Sequence, residues 1–87
     1  MSRITFAEEG WEDYLYWQTQ DKKTLRKINK LLKSIERDGV MEGEGKPEPL
    51  KHRDGEYSRR INETDRLIYA VGDSSIIVMS CRGHYEE

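Results

Sequence analysis

The run E-Y-S-R-R-I-N-E-T-D-R-L-I-Y-A-V-G-D-S-S-I-I-V-M-S-C-R, residues 56–82, decides the fold. It contains three segments rich in Tyr, Ile, Val and Leu, at residues 56–62, 66–71 and 76–82, and two short polar segments separate them. Turns of this length join neighbouring antiparallel strands, so the run predicts a meander of three antiparallel strands. Apolar residues fall on both faces, so we expect one face to meet helices and the other to meet a partner or a loop.

The two turns also predict a register. If residues 63 and 64 form the first turn and residues 73 and 74 the second, Ile61 pairs with Arg66, and Arg66 pairs with Cys81. Arg66 is then central in the sheet. Extending the last strand carries His84 and Tyr85 past the start of the middle strand, close to Arg66.

The segment upstream of the β-rich run begins with a weak helix. Ala7 is a poor N-cap, and Gly10 costs about 1 kcal/mol relative to Ala in a helix interior. Trp11 and Leu15 lie on one apolar stripe, and we expect their packing to compensate. Trp17 lies partly off that stripe, so a second surface is expected to cover it.

The next helix is predicted more strongly. Asp21 is a plausible N-cap, and Asp38-Gly39 is expected to end the helix with a left-handed cap. Its apolar residues share one face: Leu25, Ile28, Leu31, Leu32 and Ile35. Almost no linker separates the two helices, so they should form a helical hairpin. The elements together predict one α+β domain spanning residues 1–87, with two helices packed on an antiparallel sheet.

Length and charge restrict the kind of protein. A domain of 87 residues buries only about 60 to 65 per cent of its unfolded surface, so a partner or a dimer interface would help its stability. A formal net charge of -2 provides no global basic field, which counts against nucleic-acid binding. One face can still be basic, because cations cluster in the second helix: Lys22, Lys23, Arg26, Lys27, Lys30, Lys33 and Arg37.

Cysteine count and hydropathy indicate a compartment. The single Cys81 excludes an intramolecular disulfide, so a reducing cytoplasm is the simplest home. No apolar run approaches the ~20 residues of a membrane span, and the N-terminus lacks a signal-peptide core. We expect a soluble cytoplasmic protein with no membrane partner.

The stretch G-K-P-E-P-L-K-H, residues 45–52, is the most informative loop. Its two prolines fix φ and favour extended geometry before them, so Lys46, Glu48 and Lys51 hang from a stiffened, non-helical segment. Glycines and prolines predict that residues 40–54 lack regular structure. A rigid loop holding an acid between two bases can form a site, although a connector with solvated charges is the commoner explanation.

Three arginines and a terminal histidine are further candidates. Arg66 is predicted in a strand centre, with Arg59 and Arg60 on the neighbouring strand. Guanidinium groups match the geometry of phosphate, so this cluster is a candidate phosphate-binding site. A solvated face on which Glu56 or Asp54 pairs with them is equally compatible with the sequence. His84 is by default a surface residue, but its proximity to Arg66 favours a role. The two histidines and one cysteine show no metal-ligand spacing, so neither a metal site nor a cofactor is predicted.

Six separated blocks together resemble one family. W-E-D-Y-L-Y-W-Q (11–18), K-I-N-K-L (27–31), G-K-P-E-P-L-K-H (45–52), S-R-R-I (58–61), R-L-I-Y-A-V (66–71) and C-R-G-H-Y (81–85) are similar to the YoeB toxins of the RelE/ParE superfamily, from type II toxin-antitoxin systems. The blocks cover almost the whole chain in the right order. Their combination is highly specific.

The resemblance implies a RelE-like β-α-α-β-β-β fold whose first strand joins the sheet. It implies cleavage of mRNA in the ribosomal decoding site, restrained by a YefM-like antitoxin, with DNA contacted only through that antitoxin complex. Carried over by position, Glu48 is the general base, His84 the general acid and Arg66 the phosphate-stabilising group. Lys51 and Tyr85 assist; we add Arg60 and Lys46 as substrate-binding residues.

The chemistry agrees with these residue types. RNA cleavage without a metal requires a base for the 2′-OH, a cation for the phosphorane and an acid for the departing 5′-oxygen. Glu48, Arg66 with Lys51, and His84 fill those roles. Acid-base groups typically contribute about 10² to 10⁴-fold each, so an enzyme with an open site gains from a ribosome that orders the mRNA.

Two other functions stay open, along with a possible homodimer. One is a non-enzymatic ParE-like toxin that binds a protein such as gyrase; the other is an interaction module that serves only an antitoxin. The chain also departs from the family pattern, because Glu86 and Glu87 follow the terminal tyrosine and place negative charge beside a phosphate site.

Overall fold

The computed structural model describes residues 3–83, and their strands form one five-stranded mixed sheet on which two helices pack. The elements are β1 (Arg3–Phe6), α1 (Glu8–Gln20), α2 (Lys22–Asp38), β2 (Glu48–Pro49), β3 (Glu56–Arg60), β4 (Arg66–Gly72) and β5 (Ser75–Ser80). The strand order is β1-β5-β4-β3-β2. The α+β class is confirmed, as are the two helices, the three-stranded meander and the joining of β1 to the sheet.

Two features of the sheet differ from the expectation. β1 runs parallel to β5, so the sheet is mixed and not purely antiparallel. The loop of residues 40–54 was expected to lack regular structure, but Glu48 and Pro49 pair with Ser58 and Tyr57 as the edge strand β2. Proline is tolerated there because an edge strand does not need every N–H group for the sheet.

The core lies between the helices and one face of the sheet. Leu67, Tyr69 and Val78 are fully buried on that face. They pack with the buried apolar residues of α2, which are Ile28, Leu31, Leu32 and Ile35, and this confirms the predicted apolar face of that helix. On the opposite face, Ile68 and the loop residue Leu50 are buried outside this cluster, as expected if a loop covers part of the second face.

The buried face of α1 was predicted incorrectly. Trp11 and Leu15 are 47% and 42% exposed, whereas Trp17 is buried in the core. The helix turns Gly10, Asp13 and Trp17 towards the sheet. α1 approaches β5 so closely at Gly10 that a Cβ atom there would overlap the carbonyl oxygen of Val78, so only glycine fits on this face of the helix. Apolar periodicity gives no weight to a glycine and an aspartate, so it selected the wrong stripe.

α2 begins as predicted. The Asp21 side chain accepts hydrogen bonds from the backbone N–H groups of Lys23 and Thr24. The helix ends at Asp38, and Gly39 has a positive φ of 111°, but its ψ of 172° lies outside the left-handed helical region. Asp21 alone separates the helices, and the Tyr14 hydroxyl donates to Asn29 Oδ1 across the hairpin at 2.7 Å.

The first sheet turn is longer than predicted. Arg60 lies opposite Arg66, so the predicted pairing of Ile61 with Arg66 is wrong by one residue. Asn62 Oδ1 accepts from the N–H groups of Thr64 and Asp65, which builds a turn over residues 61–65. A slip of one residue exchanges the faces, so Ile61 lies in the core and Arg60 on the other face.

The second turn follows the prediction, because Gly72 pairs with Ser75 across residues 73 and 74. An irregularity at Ile68 and Tyr69 then shifts the register, and the Arg66 N–H donates to the Gly83 carbonyl at 3.0 Å. The predicted pairing of Arg66 with Cys81 is therefore wrong. Within residues 3–83, neither helix combines the length and apolar character needed to cross a membrane.

Candidate functional site

Glu48 and Arg66 meet on the sheet face opposite the helices. Glu48 pairs with Ser58 and Arg66 with Arg60, and these two β3 residues are two apart, so all four side chains share a face. Arg66 Nη1 lies 3.4 Å from Glu48 Oε1. That distance is long for a charge-assisted hydrogen bond. The Glu48 side chain is 61% exposed, which leaves its carboxylate accessible to a ligand.

The loop before Glu48 is held against β3. The Arg60 N–H donates to the Gly45 carbonyl at 2.7 Å, and Gly45 has a φ of +87°. A Cβ atom at Gly45 would lie 2.8 Å from Leu31 Cδ2 and 3.0 Å from Arg59 Cβ, so glycine is required by both space and conformation. Lys46 also has a positive φ, +51°, which is uncommon outside glycine. The chain then enters β2 with a defined direction.

The predicted substrate-binding cations divide into two groups. Arg60 and Lys46 are exposed and line one surface cavity of about 360 Å³, although neither Glu48 nor Arg66 lines it. Its other lining residues are Lys27, Gly45, Ile61, Asn62 and Glu63. Lys51 is exposed in the turn after β2, and the described hydrogen bonds and ion pairs do not include its side chain. The structure therefore brings Lys46 and Arg60 to one cavity, whereas the described hydrogen bonds and ion pairs do not connect Lys51 to it.

Glu56 does not neutralise the arginine pair. It lies 2.6 Å from Arg53, within its own hairpin, so the solvated ion-pair explanation for Arg60 and Arg66 lacks that partner. The carboxylate that does reach Arg66 is Glu48.

Arg59 does not belong to the phosphate-matching cluster, since it is fully buried on the helix side of the sheet. Its guanidinium donates to Tyr69 Oη and Ser34 Oγ, and to main-chain carbonyls of residues that precede β2. These carbonyls belong to Gly39, Val40, Glu42 and Glu44. Sequence reasoning missed this role. The available signal was that adjacent strand residues face opposite sides, so either Arg59 or Arg60 had to point inward.

The end of β5 is anchored by α1. Asp13 Oδ2 accepts from the Cys81 N–H at 3.0 Å, and Trp17 Nε1 donates to the Cys81 carbonyl at 2.8 Å. Burial, with smaller contributions from Asp13 and Asp65, raises the pKa of the Cys81 thiol to about 12. The thiol is therefore protonated at neutral pH and is not a nucleophile.

The chain reaches the neighbourhood of Arg66 at Gly83. The Gly83 carbonyl accepts from the Arg66 N–H, and the Gly83 N–H donates to Asp65 Oδ1 at 2.8 Å. Sequence reasoning did not identify this role for Asp65. The predicted acid His84 follows Gly83 in the sequence. His84 and Tyr85, like Glu86 and Glu87, lie outside the described residues.

Over residues 3–83, no group of three or more His, Cys, Asp or Glu side chains is arranged to hold a metal ion. The chemistry available at the described site is that of one carboxylate, two guanidinium groups and the Lys46 ammonium. Such a set can accept a proton and stabilise an anionic phosphate.

Comparison with known proteins agrees with the six sequence blocks. The profile of the family described as YoeB-like toxin of bacterial type II toxin-antitoxin system matches residues 6–85. Toxin YoeB of Escherichia coli K12 is 52% identical over 84 residues, covering 95% of this chain and 99% of that protein. Toxin YoeB of Synechocystis is 49% identical over 85 residues, covering 97% and 98%.

Solved structures give the same result for the fold. The YoeB dimer from Staphylococcus aureus superposes with a TM-score of 0.92 at 53% identity, covering 97% of this chain and 98% of that one. The toxin in a YoeB-YefM complex from the same organism has a TM-score of 0.90 at 52% identity, covering 98% and 99%. The matches span nearly the full length of both chains. This chain therefore belongs to the YoeB-like toxins of bacterial type II toxin-antitoxin systems.

Proposed function

We propose that this toxin is a ribosome-dependent endoribonuclease that cleaves mRNA in the ribosomal A site by metal-independent acid-base catalysis and thereby inhibits translation. Glu48 acts as the general base, Arg66 stabilises the phosphate and His84 acts as the general acid. Lys46, Lys51, Arg60 and Tyr85 assist by binding the RNA.

One observation carries the proposal. The Glu48 carboxylate and the Arg66 guanidinium lie 3.4 Å apart on one open sheet face, although 18 residues separate them in the sequence. The main chain of Gly83, the residue before His84, is hydrogen-bonded to Arg66. An accessible carboxylate beside a guanidinium combines a candidate general base with a group that can stabilise charge on a phosphodiester.

The reaction balances with these groups. Glu48 accepts the proton of the 2′-OH, and the 2′-oxygen forms a bond to phosphorus. Arg66 stabilises the added negative charge of the phosphorane. The bond from phosphorus to the 5′-oxygen then breaks, and His84 donates a proton to that oxygen. The products are a 2′,3′-cyclic phosphate and a 5′-hydroxyl, with no external reductant or water consumed.

Dependence on the ribosome follows from the openness of the site. The exposed Glu48 and the shallow cavity at Arg60 provide little to hold a free RNA strand in the reactive conformation. A ribosome that orders the mRNA supplies that geometry. The exposed cations of α2 are suited to ribosomal RNA: Lys22, Lys23, Arg26, Lys30, Lys33 and Arg37. Translating ribosomes also place the action in the cytoplasm.

A YefM-like antitoxin is the expected inhibitor, and a homodimer is the expected self-association. Staphylococcus aureus YoeB has been solved both as a dimer and with YefM. In this chain, Ile4, Trp11 and Leu15 expose apolar surface that a partner chain would cover. DNA contact would pass through the antitoxin complex and not through the toxin alone.

The test is primer extension on a translated message, with and without ribosomes. The parent should cut the message only when ribosomes are present. Glu48→Gln, Arg66→Gln and His84→Gln should each reduce cleavage by about 10²-fold or more, because each removes one acid, base or charge-stabilising group. Glu36→Gln, on the exposed side of α2, is the matched control and should cut like the parent.

Each alternative has its own outcome. If Glu48→Gln and His84→Gln stay as growth-inhibitory as the parent, acid-base cleavage must be abandoned. Loss of gyrase supercoiling activity without mRNA cleavage would instead indicate a ParE-like toxin. Harmless expression in the absence of any antitoxin would favour an interaction module.

A further inference from the structure

Gly83 is held at both ends of its main chain by two consecutive residues. Its N–H donates to the Asp65 carboxylate, and its carbonyl accepts from the Arg66 N–H. β5 ends at Ser80, so residues 81–83 lie beyond the regular strand. Their position therefore depends on such individual hydrogen bonds and not on a continuous ladder.

The Asp65 carboxylate is itself held in place. Its Oδ2 atom accepts from Asn62 Nδ2 at 3.1 Å and from Thr64 Oγ1 at 3.2 Å, which leaves Oδ1 to face Gly83. Asn62 also accepts from the Asp65 N–H at 2.7 Å. A carboxylate with one oxygen tied into a turn and the other aimed at a neighbouring main chain is preorganised to position that chain.

Gly83 is suited to the bend that this contact creates. Its φ is +89°, in the region that favours glycine, although a Cβ atom there would have no atom within 4 Å. The requirement for glycine is thus conformational and not steric. Two residues earlier, the Cys81 main chain is held by Asp13 and Trp17. Cys81 and Gly83 together hold the main chain just beyond the end of β5.

We propose that Asp65 is a positioning residue, which holds the Gly83 main chain against the strand that carries Arg66 and thereby sets where the next residue, His84, delivers its proton. This inference rests on the proposed function, because it concerns the geometry of the same site. Asp65 itself is assigned no acid, base or phosphate-stabilising role. It acts on the acid through one hydrogen bond to the residue before it.

The experiment measures single-turnover cleavage of programmed ribosomes by the full chain. Asp65→Ala should lower the rate at saturating ribosomes by about tenfold or more, because misplacing a catalytic group by about 1 Å has effects of that size. The ribosome concentration giving half the maximal rate should not change. Asp65→Asn can still accept from the Gly83 N–H, but its amide NH2 then replaces the oxygen that accepts from Asn62 Nδ2, so it should recover the rate only in part. Asp73→Ala, in the other hairpin turn, is the matched control.

Amide hydrogen exchange of Gly83 gives a readout that does not depend on activity. Exchange should become faster in Asp65→Ala than in the parent and in Asp73→Ala. If Asp65→Ala cleaves as fast as Asp73→Ala, or if its Gly83 amide exchanges no faster than that of Asp73→Ala, the positioning role is overturned. If His84→Gln, assayed alongside, cuts like the parent, then it is the proposed function that fails.

Discussion

Asp13 illustrates how a single side chain joins a helix to the end of a strand. Its carboxylate is buried against β5 and accepts from the Cys81 N–H. Burial raises the pKa of Asp13 above its usual 3.8, against the opposing effect of the Cys81 hydrogen bond. Desolvation disfavours the charged form of a carboxyl group. The contribution of Asp13 is therefore the hydrogen bond that its oxygen accepts, and not its negative charge.

This shift predicts how stability depends on pH. Because the pKa of Asp13 is raised in the folded state, the folded chain binds its proton more tightly than the unfolded chain does. Stability should therefore fall as pH rises from about 4 through the raised pKa, and then level off. Asp13→Asn keeps an oxygen for Cys81 but cannot ionise. Across that pH range, the free energy of unfolding measured in urea should fall for the parent and stay more nearly constant for Asp13→Asn.

The matched control for this comparison is Asp73→Asn, in an exposed turn. Its pH profile should run parallel to that of the parent. Parallel profiles for Asp13→Asn and the parent would contradict the assignment.

At the scale of elements, the contact of α1 with β5 depends on a glycine. Gly10 faces the sheet, and a Cβ atom there would lie within 2.9 Å of the Val78 carbonyl carbon and closer still to its oxygen. The Ala7 N–H donates to the same carbonyl at 2.9 Å, so the start of the helix is fixed on the strand. Gly10 therefore lowers the helix propensity of α1 but allows the helix to pack closely on β5.

Gly10→Ala is expected to destabilise the protein although alanine is the better helix former. The helix gains about 1 kcal/mol in propensity, but overpacking against a backbone carbonyl, which cannot rotate away, costs about 1 to 3 kcal/mol. Together with the displacement of Trp17, we expect a net decrease in the free energy of unfolding of about 1 kcal/mol, measured by urea denaturation. Gln18→Ala, on the exposed side of α1, should change it by less than about 0.5 kcal/mol. Increased stability in Gly10→Ala would show that α1 does not approach β5 this closely.

Over the whole molecule, Arg59 connects the helices, the loop and the sheet. From β3 it reaches Ser34 on α2, Tyr69 on β4 and four carbonyl oxygens of residues 39–44. The Tyr69 hydroxyl adds a bond to the Val40 carbonyl at 2.6 Å. These hydrogen bonds hold the segment that leads from α2 to the candidate base Glu48. The position of Glu48 therefore depends on the same residue that joins the helices to the sheet.

Replacing Arg59 should therefore affect both stability and activity. Arg59→Met leaves several buried acceptors without a donor, each worth about 1 to 3 kcal/mol, so we expect the free energy of unfolding to fall by about 3 kcal/mol or more. Arg59→Lys should not rescue it, because one ammonium group cannot reproduce the planar set of donors. Denaturant unfolding provides the measurement, and residual cleavage should be low in both variants.

Arg26→Met, on the exposed face of α2, removes the same charge from a solvated position. It should alter the free energy of unfolding by less than about 0.5 kcal/mol. If Arg59→Met were as mild, the buried network would not be supporting the loop.

Local patterns predicted much of this fold. The Asp21 cap, the apolar face of α2, the three meander strands and the second turn are all decided by residues close in sequence, and the structure confirms them. The structure places Glu48 3.4 Å from Arg66, but on the edge strand β2 and not in the irregular loop that the prolines predicted. The catalytic roles themselves stay predictions.

The failures share a physical cause. The register at Arg66 was wrong because Asn62 and Asp65 hydrogen-bond within a longer turn, and turn length alone changes which face each residue occupies. The buried side of α1 was wrong because a glycine and an aspartate, not the apolar Trp11 and Leu15, face the sheet.

The sequence by itself determined the two helices, the three meander strands, their order, the family and the residue types at the candidate site, because helix caps, strand patterns and motif blocks are local. Only the tertiary structure decided that Arg59 is interior while Arg60 shares a face with Glu48 and Arg66, and that Asp65 holds Gly83. These depend on register and close backbone approach, which are set by contacts between residues far apart in the chain.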